Sequence, residues 1–116
     1  MSIEEQLFAV LSGIAAIGPR VYPNVAPDQP TTPYIVYHNI ANSPEVTLAD
    51  GVPINNTRMQ IDIYDTSYLN GVKARAADVV AAMVAAAFTN VPLMNQDLWE
   101  QDVKLHRVQM DYSIWS

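Results

Sequence analysis

The chain has 116 residues, a formal net charge of −6 and no cysteine, so a disulfide framework and a thiolate zinc site are both excluded. Half of the residues are hydrophobic, which excludes intrinsic disorder, and the acidic balance argues against specific nucleic-acid binding. The longest apolar run, residues 79–88, is about half the length of a membrane span. We therefore expect a single soluble domain over residues 1–116 that does not enter a membrane.

The first predicted element is a helix over residues 3–17, where apolar side chains recur at helical spacing. Ser2 and Glu5 form a capping-box pattern at its start, and Gly18-Pro19 ends it. Residues 19–33 hold five of the eight prolines. This stretch is typical of an ordered, extended arm with a short edge strand at Arg20-Val21-Tyr22.

Two strands are predicted next, over residues 34–40 and 57–65. The first is rich in β-branched and aromatic residues, and in the second Met59, Ile61 and Ile63 alternate strictly with polar residues. The intervening residues 41–56 carry several turn-forming pairs and predict a long, mobile loop. We interpret this loop as a partner-contact segment. Its candidate contact residues are Pro44, Glu45, Asp50, Gly51, Val52 and Pro53.

A long helix is predicted from about Asp65 to Phe88. Its predicted buried face consists of Leu69, Val72, Ala76, Val79, Val80, Met83 and Val84. Its last turns are rich in alanine. Helix propensity alone accounts for those alanines, and close approach of a neighbouring subunit is the alternative.

A short strand at Leu93–Trp99 and a final strand at Val103–Trp115 complete the chain. Val103 and Leu105 have the opposite parity to the later apolar residues, which predicts a bulge near His106. The resulting order favours an α+β two-layer sandwich. Its mainly antiparallel sheet has about four strands, and two helices cover one face.

Two strands present matching polar triplets on one face of this predicted sheet. The residues are Arg58, Gln60 and Asp62 in one strand and Arg107, Gln109 and Asp111 in the other. If the strands are antiparallel neighbours with Gln60 opposite Gln109, two pairs of opposite charge face each other across the strands. The same triplets are also typical of any solvent-exposed strand face.

No catalytic or cofactor-binding pattern is found in the sequence. The two histidines, His38 and His106, have no ligand-type or acid–base neighbours at useful spacing. There is no G-x-S-x-G elbow, and four glycines form no phosphate loop. We therefore expect a protein that is not an enzyme and that binds no cofactor or metal.

Several segments, in this order, resemble a family of small tailed-phage and prophage proteins, the tail-completion (tail-terminator, head-to-tail joining) proteins. The matching segments are Arg20-Val21-Tyr22-Pro23, Pro33-Tyr34-Ile35-Val36-Tyr37, Arg58 to Tyr64, the alanine-rich helix, and Arg107 to Trp115. Leu93 to Lys104 departs from the pattern.

The resemblance implies a structural virion protein without catalytic residues. It would assemble with itself into a ring, commonly a hexamer, and bind tail-tube and head-connector proteins. It would occupy the host cytoplasm during assembly and then the virion tail. A small non-enzymatic α+β binding or regulatory module, unrelated to virions, is the alternative function, and an enzyme subunit with an interfacial site is a third.

Overall fold

The computed structural model of the chain describes residues 2–28, 30–46 and 53–115, with the backbone alone at residues 43–46 and 53–55. Its helices are α1 (Ile3–Ser12) and α2 (Ala74–Ala85), and a π-helical segment (Tyr68–Lys73) leads directly into α2. The strands are β1 (Val21–Pro23), β2 (Tyr34–Val46), β3 (Pro53–Asp65), β4 (Thr89–Glu100) and β5 (Leu105–Trp115).

The strands form one sheet in the order β1-β2-β3-β5-β4. β1 pairs parallel to β2, and the other three pairings are antiparallel. The α+β class is confirmed, but the predicted count of about four strands is wrong because the described sheet has five. The arm contributes a paired strand, and residues 89–100 form a full-length strand where a short one was predicted.

α1 begins at the predicted capping box. The Ser2 hydroxyl accepts a hydrogen bond from the backbone N–H of Glu5 at 3.2 Å, and the Glu5 carboxylate accepts one from the backbone of Ser2 at 3.5 Å. The helix ends at Ser12 and not at residue 17 as predicted. Ile14 and Ile17 follow in turns and are still buried, so the apolar stripe continues beyond the helix.

The predicted loop over residues 41–56 is wrong for most of its length, since β2 and β3 continue as a paired hairpin up to Val46 and Pro53. Cross-strand hydrogen bonding here overrides the local turn preference of the asparagines and prolines. Of the candidate contact residues, Pro44, Glu45 and Pro53 lie in strand backbone. Asp50, Gly51 and Val52 lie outside the described residues.

The predicted buried face of the second helical region is confirmed in part, since Val72, Ala76, Val79 and Met83 are buried and three other residues are not. Leu69 lies in the π-helical segment and is 73% exposed. The wider turn of that segment moves it out of phase with the buried residues of α2, which are Ala76, Val79 and Met83. Val80 and Val84, also predicted to be buried, are exposed.

One hydrophobic cluster joins both helices to alternate residues of the sheet. It includes Leu7 and Leu11 of α1, the buried face of α2, and the apolar residues of β2, β3 and β5. In β3 these are Met59, Ile61 and Ile63, as the alternation predicts.

A second, smaller cluster has the opposite parity and contains Tyr34, Val36 and Leu105. Leu105 has this parity because it packs in the second cluster. β5 pairs in continuous register around His106, so no bulge lies there. The predicted bulge is therefore wrong. The register shifts of the sheet lie at Asn39/Ala41 in β2 and at Pro92/Met94 in β4.

A matched pair of truncations tests the packing of α1 on the sheet. Leu7→Ala should lower the free energy of unfolding by about 2–5 kcal/mol, because the Leu7 side chain is fully buried in the main cluster. Leu69→Ala should change it by about 0.5 kcal/mol or less, since Leu69 is mostly exposed. Urea unfolding of both variants measures the difference, and equal losses would contradict the packing described here.

Candidate interaction surface

The polar face of the sheet is built by β3 and β5, which are antiparallel neighbours as predicted. The predicted register is wrong by two residues. Gln60 lies opposite Asp111 and Asp62 lies opposite Gln109. Tyr64, and not Asp62, lies opposite Arg107.

Both predicted ion pairs nevertheless form, as diagonal contacts. Arg107 Nη2 lies 3.1 Å from Asp62 Oδ1, and Arg58 Nη2 lies 3.6 Å from Asp111 Oδ2. Diagonal cross-strand neighbours are within reach of a side chain as long as arginine. The charges therefore identified the partner strand and its direction correctly, but not the register.

The carboxylates of this face are buried, although it was predicted to face solvent. Asp62 is 1% exposed and Asp111 is 5% exposed. Asp62 Oδ2 accepts a hydrogen bond from Gln60 Nε2 at 2.9 Å and lies 3.6 Å from His38 Nε2. A buried carboxylate is costly unless it is paired and hydrogen-bonded, so these contacts, with Arg107, are what stabilise it there.

Arg107 joins this carboxylate to the neighbouring strand. Its Nη1 donates a hydrogen bond to Glu100 of β4 at 2.8 Å, and its guanidinium lies 5.8 Å from the centre of the Tyr64 ring. Burial alone would lower the pKa of Arg107, but the hydrogen bond to Glu100 and the charge of Asp62 outweigh it, and the pKa is raised. Burial raises the pKa of the Tyr64 hydroxyl to about 12. At neutral pH the face therefore presents a cationic arginine beside a neutral tyrosine.

An open groove of about 550 Å³ separates this network from the arm that follows β1. Its charged and aromatic lining includes His38, Asp62, Tyr64, Glu100 and Arg107. Within the described ranges, no three histidine or acidic side chains come together as a metal site, and no helix is long and apolar enough to cross a membrane. The rest of the groove lining is largely apolar and includes Val25, Val36 and Val103.

The two histidines lie in different surroundings. His38 belongs to the polar face, beside Asp62. His106 lies between two aromatic side chains, edge-on to Trp99 with ring centres 4.9 Å apart and tilted against Tyr68 with ring centres 5.4 Å apart. Tyr68 also donates a hydrogen bond to Asp97 Oδ2 at 2.6 Å. His38 therefore belongs to the Asp62 network and His106 to an aromatic group.

β4 forms an edge of the sheet, and sequence reasoning missed its role. Its exposed apolar residues include Val91, Leu93, Met94 and Trp99. No alternation of apolar and polar residues marks this strand, because an edge strand without a covered face needs none. In the sequence, this strand is marked only by the departure of Leu93 to Lys104 from the pattern of the resembled family.

Comparison with known proteins gives two findings. The family model of tail completion protein gp17 matches residues 5–116. A chain of the virion of a native gene transfer agent particle has a similar fold, with a TM-score of 0.61 and 17% identity over 98% of this chain and 90% of that chain. No curated protein matches the sequence significantly.

Removal of a single cation tests the role of the buried carboxylate. Arg107→Met should lower the free energy of unfolding by about 3 kcal/mol, because it leaves the Asp62 charge buried without its ion-pair partner. Lys73→Met is the matched control. It removes a pair with Asp97 in which both side chains are 39% exposed, and should cost about 1 kcal/mol or less. Chemical denaturation at neutral pH compares them, and a similar cost for both would show that the Asp62 contacts are not important for stability.

Proposed function

We propose that this chain, which belongs to the tail completion protein gp17 family, forms a ring. The ring closes the tail tube and joins it to the head. The family model spans residues 5–116, nearly the whole chain, and this match carries the proposal. The chain is accordingly a structural protein of a phage-like tail. The ring, its hexameric number and its partners are the proposed part.

The two faces of the sheet differ in what they can contact within such a ring. Both helices belong to one cluster with alternate residues of β2, β3 and β5, so we infer that they cover one face. The other face carries the Asp62 network and the open groove. Asp62 and Asp111 of that face are already paired with Arg107 and Arg58, so a partner can cover these two carboxylates without leaving them unpaired.

The β2–β3 hairpin is the proposed contact with tail-tube or head-connector proteins. The pairing between β3 and β5 begins at Asn56, so residues 43–46 and 53–55 pair only within the hairpin among the described strands. They extend beyond the end of β5 and include three of the candidate contact residues, Pro44, Glu45 and Pro53. A two-stranded extension of this kind is able to reach a neighbouring protein without disturbing the main core.

The proposal places the chain in the host cytoplasm during assembly and in the virion tail afterwards. It requires no catalytic group, cofactor or bound metal. The net charge of −6 suits a ring that DNA must pass, since an acidic lining repels the duplex.

Assembly in solution tests the ring. The purified chain should be monomeric or weakly associated when dilute, and should form rings at high concentration or on isolated tail tubes. Light scattering across a concentration series, with negative-stain images, measures this. A chain shortened by replacing residues 44–55 with an Asn-Gly turn, which joins the paired residues Ser43 and Asn56, should keep its folded circular dichroism spectrum but no longer bind tubes. A stable dimer at every concentration, with no rings on tubes, would contradict the proposal.

A further inference from the structure

The open edge of β4 is protected against strand pairing only in its first part, where Pro92 and the register shift at Pro92/Met94 lie. From Leu93 to Glu100 it contains no lysine, arginine or proline. Natural proteins commonly place such residues on edge strands because unpaired backbone groups invite another strand. A long edge strand without them is expected to have a partner.

Apolar side chains accompany this edge. Val80 and Val84 of α2 are 42% and 82% exposed, and Leu93 and Met94 of β4 are 49% and 43% exposed. Val80, Leu93 and Met94 line a shallow groove of about 260 Å³ between α2 and β4. Exposed apolar residues grouped around a groove mark a protein contact more often than isolated ones do. The edge and this apolar groove form one continuous surface.

The opposite side of the sheet offers a second open edge. β1 covers only Ile35–Tyr37 of β2. From His38 to Val46, β2 pairs with β3 on one side and with no described strand on the other. A groove of about 540 Å³ lies beside it, lined by Phe8 and Ala9 of α1 and by Tyr37. Each edge of the sheet thus combines open backbone with an apolar groove beside a helix.

The strand directions make these two edges complementary. β2 is antiparallel to β3, β3 to β5, and β5 to β4, so β4 runs opposite to β2. A second copy placed beside the first in the same orientation therefore presents its β2 antiparallel to β4. The helices of both copies then remain on the same side, and the two apolar grooves are brought to the same junction.

We propose that β4 of one copy pairs antiparallel with the open stretch of β2, from His38 onward, in the next copy of this chain. This inference rests on the proposed function, in that it names the contact from which the ring is built. The contact joins two different surfaces, so every copy keeps one of each available. A head-to-tail contact of this kind repeats until it closes into a ring.

Symmetry favours this pairing over contact between two β4 strands. A β4–β4 contact would be isologous and would end at a dimer, whereas the β4–β2 contact leaves one edge of each copy available. The charged residues of β4, Asp97 and Glu100, pair within the chain with Lys73 and Arg107, so neither brings an unpaired charge to the contact.

Site-directed cross-linking tests the contact. Because the chain has no native cysteine, only the introduced thiols can react. Gln96→Cys marks β4 and Ala41→Cys marks β2, both at exposed positions. Under ring-forming conditions with a short bis-maleimide, neither variant alone should give a covalent dimer, and their equimolar mixture should. A chain carrying both substitutions should give a ladder of products. Ala81→Cys, on an exposed position of α2, is the control and should give no product with Gln96→Cys.

The outcomes separate this contact from the ring itself. Rings in electron micrographs without a cross-link in the mixture would overturn the contact and leave the proposed function standing. Cross-links in open filaments without rings would uphold the contact and overturn the ring. A covalent dimer from Gln96→Cys alone would show β4 self-pairing and overturn the contact, and the absence of any association would overturn both.

Discussion

The buried carboxylate of Asp62 is the constraint on which the sheet depends. Its position in β3 is tolerable only if Arg107 of β5 reaches it, and it does so at 3.1 Å. Arg107 in turn binds Glu100 of β4, so one guanidinium connects three adjacent strands. A one-residue slip of the β3–β5 register would turn Asp62 away from Arg107 and the apolar residues of β3 away from those of β5. Charge pairing and core packing therefore agree on which residues of the two strands share a face.

That arrangement determines which parts of the molecule remain available to partners. The apolar residues of one parity belong to the cluster with the helices, and the buried carboxylates of the other parity form ion pairs within the chain. What is left is peripheral: the extended hairpin, the edge of β4 and the open stretch of β2. A ring component needs contacts to neighbours in the ring and contacts to proteins above and below it. Edges and a hairpin can supply these separately.

Much of this fold is predictable from local patterns. The capping box at Ser2, the alternation in β3 and the adjacency of β3 and β5 all follow from residue spacing and charge. Boundaries and register were less accessible, because they depend on distant contacts. The hairpin continues past Asn42 because β2 and β3 pair with each other there. Leu105 has the opposite parity because it packs with Tyr34 and Val36 on the other face of the sheet. The diagonal geometry of the ion pairs likewise allowed the right partners in the wrong register. The β4 edge could not be read from the sequence, since an exposed edge strand leaves no periodic signal.

We propose that this chain closes the tail at the junction with the head. Electron cryomicroscopy of intact particles from the phage or prophage that encodes it is the most direct measurement. We expect a single closed ring of density at the head-proximal end of the tail tube. Copies of this fold should fit that ring with β4 next to β2 of the neighbouring copy. Copies distributed along the tube, or density at that junction that this fold does not fit, would contradict it.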